Sequence, residues 1–196
     1  ALRGGVRSGV PGVASSRLGA LPNTAALLSV LLREVRPSSV VFSAWGLREG
    51  LLYQKLPQAE RSRDPLLTGV GAFVAAQGCP PETGTRIAEW TKAAQPENGQ
   101  AHERIRQAAT MLVLAAQTIE PNLRLAHALD WALHKRWIGL GDTGRAMIAA
   151  CAVGNSGSGT WPDELNRLAS QEDLRMAFAW GLAIRLCRRF TGLSTK

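Results

Sequence analysis

The chain has 196 residues, a mass of 21.0 kDa, 45% hydrophobic and 19% charged residues and a mean hydropathy of -0.04, enough to bury one sizeable core or two modest ones and too apolar for a disordered tail. Its 23 Lys+Arg against 15 Asp+Glu give a formal charge of +8 and a pI near 10.4, which favours polyanionic partners over acidic proteins or bare cations. Cys79, Cys151 and Cys187 are too few and too scattered for a disulfide framework and form no C-x-x-C pair, so a reducing cytoplasm is expected.

In chain order, residues 1 to 22 are rich in Gly, Ser and Pro and read as loop or irregular structure. From Thr24 to Arg36 apolar residues recur at helical spacing, with Asn23 or Thr24 as cap and Pro37 as terminator. Ser38 to Ala44 (SSVVFSA) is a β-branched and aromatic run that predicts a strand, Gly46 a turn, and Arg48 to Leu56 a second helix ending at Pro57. The polar stretch 58 to 63 reads as a linker. Beyond it the periodicity predicts helices near 65–77, 81–94, 99–118, 122–137, 143–154 and 161–190. They are broken at Gly78, the PENG stretch 96–99, Pro121, the GLGD turn 139–142 and the Gly/Ser loop 155–159, with a further break near Ser170. Trp90, Trp131 and Trp180 fall on apolar helical faces and read as core. No apolar run approaches the roughly 20 residues of a membrane span, and the N-terminus has no signal-peptide pattern, so no membrane is expected.

Catalytic signatures are scarce. His102, His127 and His134 are scattered, without H-E-x-x-H or H-x-x-E-H spacing and without an Asp following any His, so no metal site is expected. The string GNSGSG at 154–159 has no strand before it and so lacks a nucleophile elbow, and no phosphate-loop string occurs. Two features bear on anions. Gly46 and Gly50 bracket Arg48 and Glu49 at a strand-to-helix turn, where backbone N–H groups and a guanidinium can face an anion; the same pattern also serves as a plain structural turn. Arg185, Arg188 and Arg189 cluster at a helix end, where cations also complement the helix dipole.

The run from Arg17 to Leu67, RLGALPNTAALLSVLLREVRPSSVVFSAWGLREGLLYQKL followed by DPLL, resembles the exopolyphosphatase and guanosine pentaphosphate phosphohydrolase family. There an R-x-x-x-LP segment precedes a helix, a VVFSA-like strand and a G-x-REG-LLY turn at the end of the second actin-like domain. RIRQAATML, GDTGRAMIAACAV and AWGLAIRLCRRFTG resemble the helical domain that follows in longer members, so the likeness covers most of the chain.

The resemblance implies a mainly α chain: residues 1–57 as an α/β remnant of the second actin-like phosphatase domain, 58–63 as linker, and 64–196 as a helical, degenerate HD-like domain. The family cuts terminal phosphates from inorganic polyphosphate, or the 5′-phosphate from guanosine pentaphosphate, with a divalent metal, Mg2+. Its catalytic loops have no match here, and with a first residue other than Met the chain reads as the C-terminal part of such a protein. The His-Asp pair of HD phosphohydrolases falls on Val113 and Leu114, and a later histidine near Ser156, so no HD-type metal and no cofactor is expected in this chain. Arg17 matches the arginine before the LP segment and Arg48 that of G-x-REG; with Arg185, Arg188 and Arg189 they are the candidate phosphate contacts. The expected role is polyphosphate binding or homodimer contact rather than catalysis. The alternatives are a purely structural or oligomerisation domain and a basic nucleic-acid-binding domain, the latter disfavoured.

Overall fold

Prolines, the Asp64 carboxylate and the Ser170 hydroxyl stand at half of the α-helix starts among the described residues. The computed structural model describes residues 15–40, 45–94 and 102–191, and among these every regular element is helical. They are α1 (Ser15–Leu18), α2 (Leu21–Val35), α3 (Leu47–Gln54), α4 (Gln58–Arg61), α5 (Pro65–Ala76), α6 (Pro81–Thr91), α7 (Glu103–Ala115), α8 (Arg124–Leu133), α9 (Asp142–Ser156) and α10 (Gln171–Phe190). One-turn 3-10 helices cover Lys92–Ala94, Ala116–Thr118 and Asp163–Arg167. Of the expected strand 38–44, residues 38–40 are irregular and 41–44 lie outside the described residues, as does the PENG break.

The chain divides into two compact units, Ala1–Gly46 and Leu47–Lys196. In the first, the irregular structure expected up to residue 22 gives way to helix from Ser15. Pro22 sits in the first turn of α2, where its missing N–H costs no hydrogen bond, so the helix starts ahead of the expected Asn23 or Thr24 cap. Thr24 Oγ1 instead donates back to the Ala20 carbonyl at 2.9 Å. The helix closes at Arg36, whose backbone is left-handed (φ 48) and whose N–H bonds Leu32 O. No residue of α2 is buried, and Leu27, Leu31 and Val35 stand exposed. Ser16–Val35 spans 20 residues with a mean hydropathy of 1.2, so by length and composition it is long and apolar enough to cross a membrane. This corrects the expectation that no such run exists: the apolar stretch runs from α1 across the turn at Gly19 and Ala20 into α2, whose first turn takes in Pro22, Asn23 and Thr24, residues that break the apolar pattern in the sequence.

In the second unit the stretch 58–63 holds the one-turn helix α4. Asp64 then caps α5: its carboxylate accepts from the N–H groups of Leu66 and Leu67 at 2.8 and 3.0 Å and from Arg104 Nε at 2.8 Å. Burial alone would raise its pKa, but the Arg104 and backbone hydrogen bonds prevail and hold it below the usual 3.8. Helices α7 and α9 form the centre. Residues 108–115 of α7 and 146–155 of α9 are all buried, many of them alanine, so these helices are packed on every side. Around them, α5 and α6 pack on α7, α8 packs on α9, and α10 runs along α9. Arg106, 1% exposed, ties α7 to α6 through the Ala88 carbonyl (2.6 Å) and Thr91 Oγ1 (2.9 Å), and Glu103 of its own helix pairs its charge. Trp131 and Trp180 are core, as expected, but Trp90 is 58% exposed. On α6 it is Gly84, Ala88 and Thr91 that point inward, and Trp90 falls off that face.

Candidate functional site

Three helix ends and one helix start converge at one end of the second unit: the last turns of α7, α9 and α10 and the first turn of α8. Between them lies a pocket of about 590 Å3. Arg124, Arg185, Arg188 and Arg189 line it together with Gln117, Asn155 and Ser156, and among the described residues no carboxylate lines it. The C-terminal ends of three helices carry partial negative charge, which favours arginines here even before a ligand is considered.

Each arginine has a distinct setting. Arg188 is the most constrained: Nη2 donates to Gln117 Oε1 at 2.6 Å and Nη1 to Asn155 Oδ1 at 3.2 Å, while its buried Nε has no hydrogen-bond partner. Burial, then the like charges of Arg124 and Arg185, lower its pKa below the ordinary guanidinium value. Arg124 donates to the carbonyls of Ile119 (2.8 Å) and Gln117 (3.1 Å), closing the turn that follows α7. Arg185 rests over Gly157, the left-handed residue (φ 81) that ends α9; a Cβ at 157 would collide with the Arg185 guanidinium. Among the described residues, neither Arg185 nor Arg189 has a hydrogen-bond or ion-pair partner.

The structure therefore brings Arg185, Arg188 and Arg189 to one pocket and adds Arg124, Gln117 and Asn155, which the sequence did not single out. Arg17 is exposed on α1 in the first unit, and Arg48 is exposed in the first turn of α3, outside the pocket lining. The strand expected before Arg48 lies outside the described residues.

Val113 and Ser156, where the resemblance puts an HD-type histidine and a later one, both line the pocket; Leu114 is buried beside them. Hydrocarbon, a hydroxyl and four guanidinium groups do not suit a divalent cation, so Mg2+ does not fit this pocket. Nor do the histidines assemble elsewhere. His102 Nε2 lies 3.3 Å from Asp173, His134 pairs with Asp130 at 3.2 Å on the surface, and His127 leans on Trp131. Among the described residues no three His, Cys, Asp or Glu side chains stand together as a metal site. No protein-family model matches the chain, and no curated protein matches it significantly.

Proposed function

We propose that the helical unit is a non-catalytic phosphate-anion binding part of an exopolyphosphatase or guanosine pentaphosphate phosphohydrolase-like protein, and that it holds polyphosphate through the arginine pocket. The observation that carries this reading is the pocket itself: among the described residues four guanidinium groups and no carboxylate surround one cavity, and one of the four is partly desolvated and crowded by its neighbours. Guanidinium forks match phosphate oxygens in pairs, and a site without acid repels few of them. On this reading the chain is the C-terminal portion of a cytoplasmic hydrolase, HD-like in ancestry. Residues 1–57 then belong to an actin-like domain whose interior accounts for the apolar face of α2.

Calorimetric titration with long-chain polyphosphate, with phosphate release followed on the same sample, tests it. Saturable binding without phosphate release is expected. No binding would overturn the reading, and phosphate release above background would overturn its non-catalytic part.

A second reading, homodimer contact, rests on α10. Leu182, Leu186 and Phe190 recur every four residues along one exposed face, with Phe190 77% exposed. Sedimentation equilibrium of the wild type and Leu186→Asp distinguishes it: a concentration-dependent mass that the substitution abolishes supports the dimer, and a constant monomer mass refutes it.

A further inference from the structure

The arginine pocket is only half polar. Beside the guanidinium groups, Val113, Ala116, Pro121, Leu125, Ala128 and Ala152 add apolar surface to its lining, from the ends of α7 and α9, the turn after α7 and the start of α8. A bare inorganic phosphate chain gains nothing from such surface; charged oxygens set against methyl groups lose hydration without recovering it. A ligand with an anionic head and an apolar body uses both halves, and about 590 Å3 falls within the range of small-molecule sites. The polar side is also built to be specific. Arg188 is locked between Gln117 and Asn155, residues 71 and 33 positions away, so its fork has a fixed orientation before any ligand arrives. Asn155, 9% exposed, uses its Oδ1 on Arg188, and its amide nitrogen remains as a donor at the pocket wall.

We infer that this pocket is a discrete site for an organic phosphate ester, in which a di- or triphosphate head lies on Arg185, Arg188 and Arg189 and an apolar body, alkyl or planar, lies against Leu125 and Ala128. It rests on the reading of the pocket as a phosphate-anion site and narrows the occupant from any polyphosphate to one carrying a hydrophobic group. The proposed ligand binds and leaves unchanged: among the described lining side chains the one hydroxyl is that of Ser156, whose Oγ donates to the Val153 carbonyl at 2.7 Å.

The test compares ligands matched in phosphate number on the full chain in metal-free buffer: geranyl diphosphate with inorganic pyrophosphate, and ATP with inorganic tripolyphosphate. Charge alone predicts that the inorganic member of each pair binds as tightly or more tightly. The inference predicts that the organic member binds about tenfold tighter in at least one pair, and which pair it is tells an alkyl body from a planar one. Leu125→Ala should weaken the organic ligand several-fold and leave its inorganic counterpart unchanged. If that variant fails to fold, the wild-type comparison decides alone. Inorganic ligands binding as well as organic ones in both pairs would overturn the inference and leave the phosphate reading standing. No binding of any of the four would overturn both.

Discussion

Gly154 of α9 and Gly181 of α10 meet backbone to backbone. A Cβ on Gly154 would fall 3.3 Å from the Gly181 Cα and would collide with the Phe178 carbonyl oxygen, and one on Gly181 would collide with the Cys151 carbonyl oxygen. Neither neighbour is a movable side chain, so the two helices can approach this closely only with glycine at both positions. That approach holds Asn155 of α9 within 3.2 Å of Arg188 of α10 and so links the core to the pocket.

Gly181→Ala should therefore push α10 off α9, destabilising the second unit by about 1–3 kcal/mol, the usual cost of overpacking a core. Urea denaturation followed by circular dichroism measures it. The same variant should bind polyphosphate more weakly, because the Arg188–Asn155 contact opens.

Gly157→Ala tests the pocket from outside its arginines. An alanine at φ 81 is strained by about 1 kcal/mol, and its methyl group occupies the place of the Arg185 guanidinium. Polyphosphate affinity should fall by more than the stability loss explains, approaching that of Arg185→Ala in a calorimetric titration. An affinity equal to wild type would show that Arg185 does not bind from the position seen.

The carboxylate of Asp64 has a lowered pKa in the folded state, so it stabilises the fold above its unfolded value of 3.8 and loses that contribution as the pH falls through the lower folded value. Asp64→Asn keeps a capping oxygen for α5 but loses the charge facing Arg104. Wild type should be the more stable of the two at pH 7, with the gap closing as the pH drops below 3.8. Thermal melts of both proteins across that range check the sign.

Burial pushes the Cys151 thiol up to about 12, and Cys79 and Cys187 are raised by burial as well. Native protein at pH 8 should leave Cys151 unmodified by iodoacetamide over a time in which urea-unfolded protein reacts fully, as mass spectrometry of the tryptic peptides would report.

The helical unit was legible because its helices are amphipathic or small-residue runs cut by Pro, Gly and Ser: the break at Ser170 is a true cap, its Oγ accepting from the Asp173 N–H at 3.1 Å. The arginine cluster was legible as well, since Arg185, Arg188 and Arg189 stand one turn apart on one helix. Arg124, Gln117 and Asn155 were not. They come from three other helix ends up to 71 residues away from Arg188, and nothing in local spacing announces that those ends meet. Trp90 was misread because α6 buries a narrow stripe of small residues and leaves its one large aromatic outside. The apolar stretch Ser16–Val35 is hidden in the sequence because it spans two helices and the turn at Gly19 and Ala20, and because polar residues that bond their own backbone, as Thr24 and Ser29 do, stay within α2.

The most direct test of the phosphate reading is the affinity for long-chain polyphosphate, at fixed salt, of the variant with Arg185, Arg188 and Arg189 all changed to Ala. A loss of at least a hundredfold is expected, about 1 kcal/mol or more for each charge-assisted contact removed, with the helical content unchanged. Wild-type affinity in that variant would contradict the assignment of the pocket.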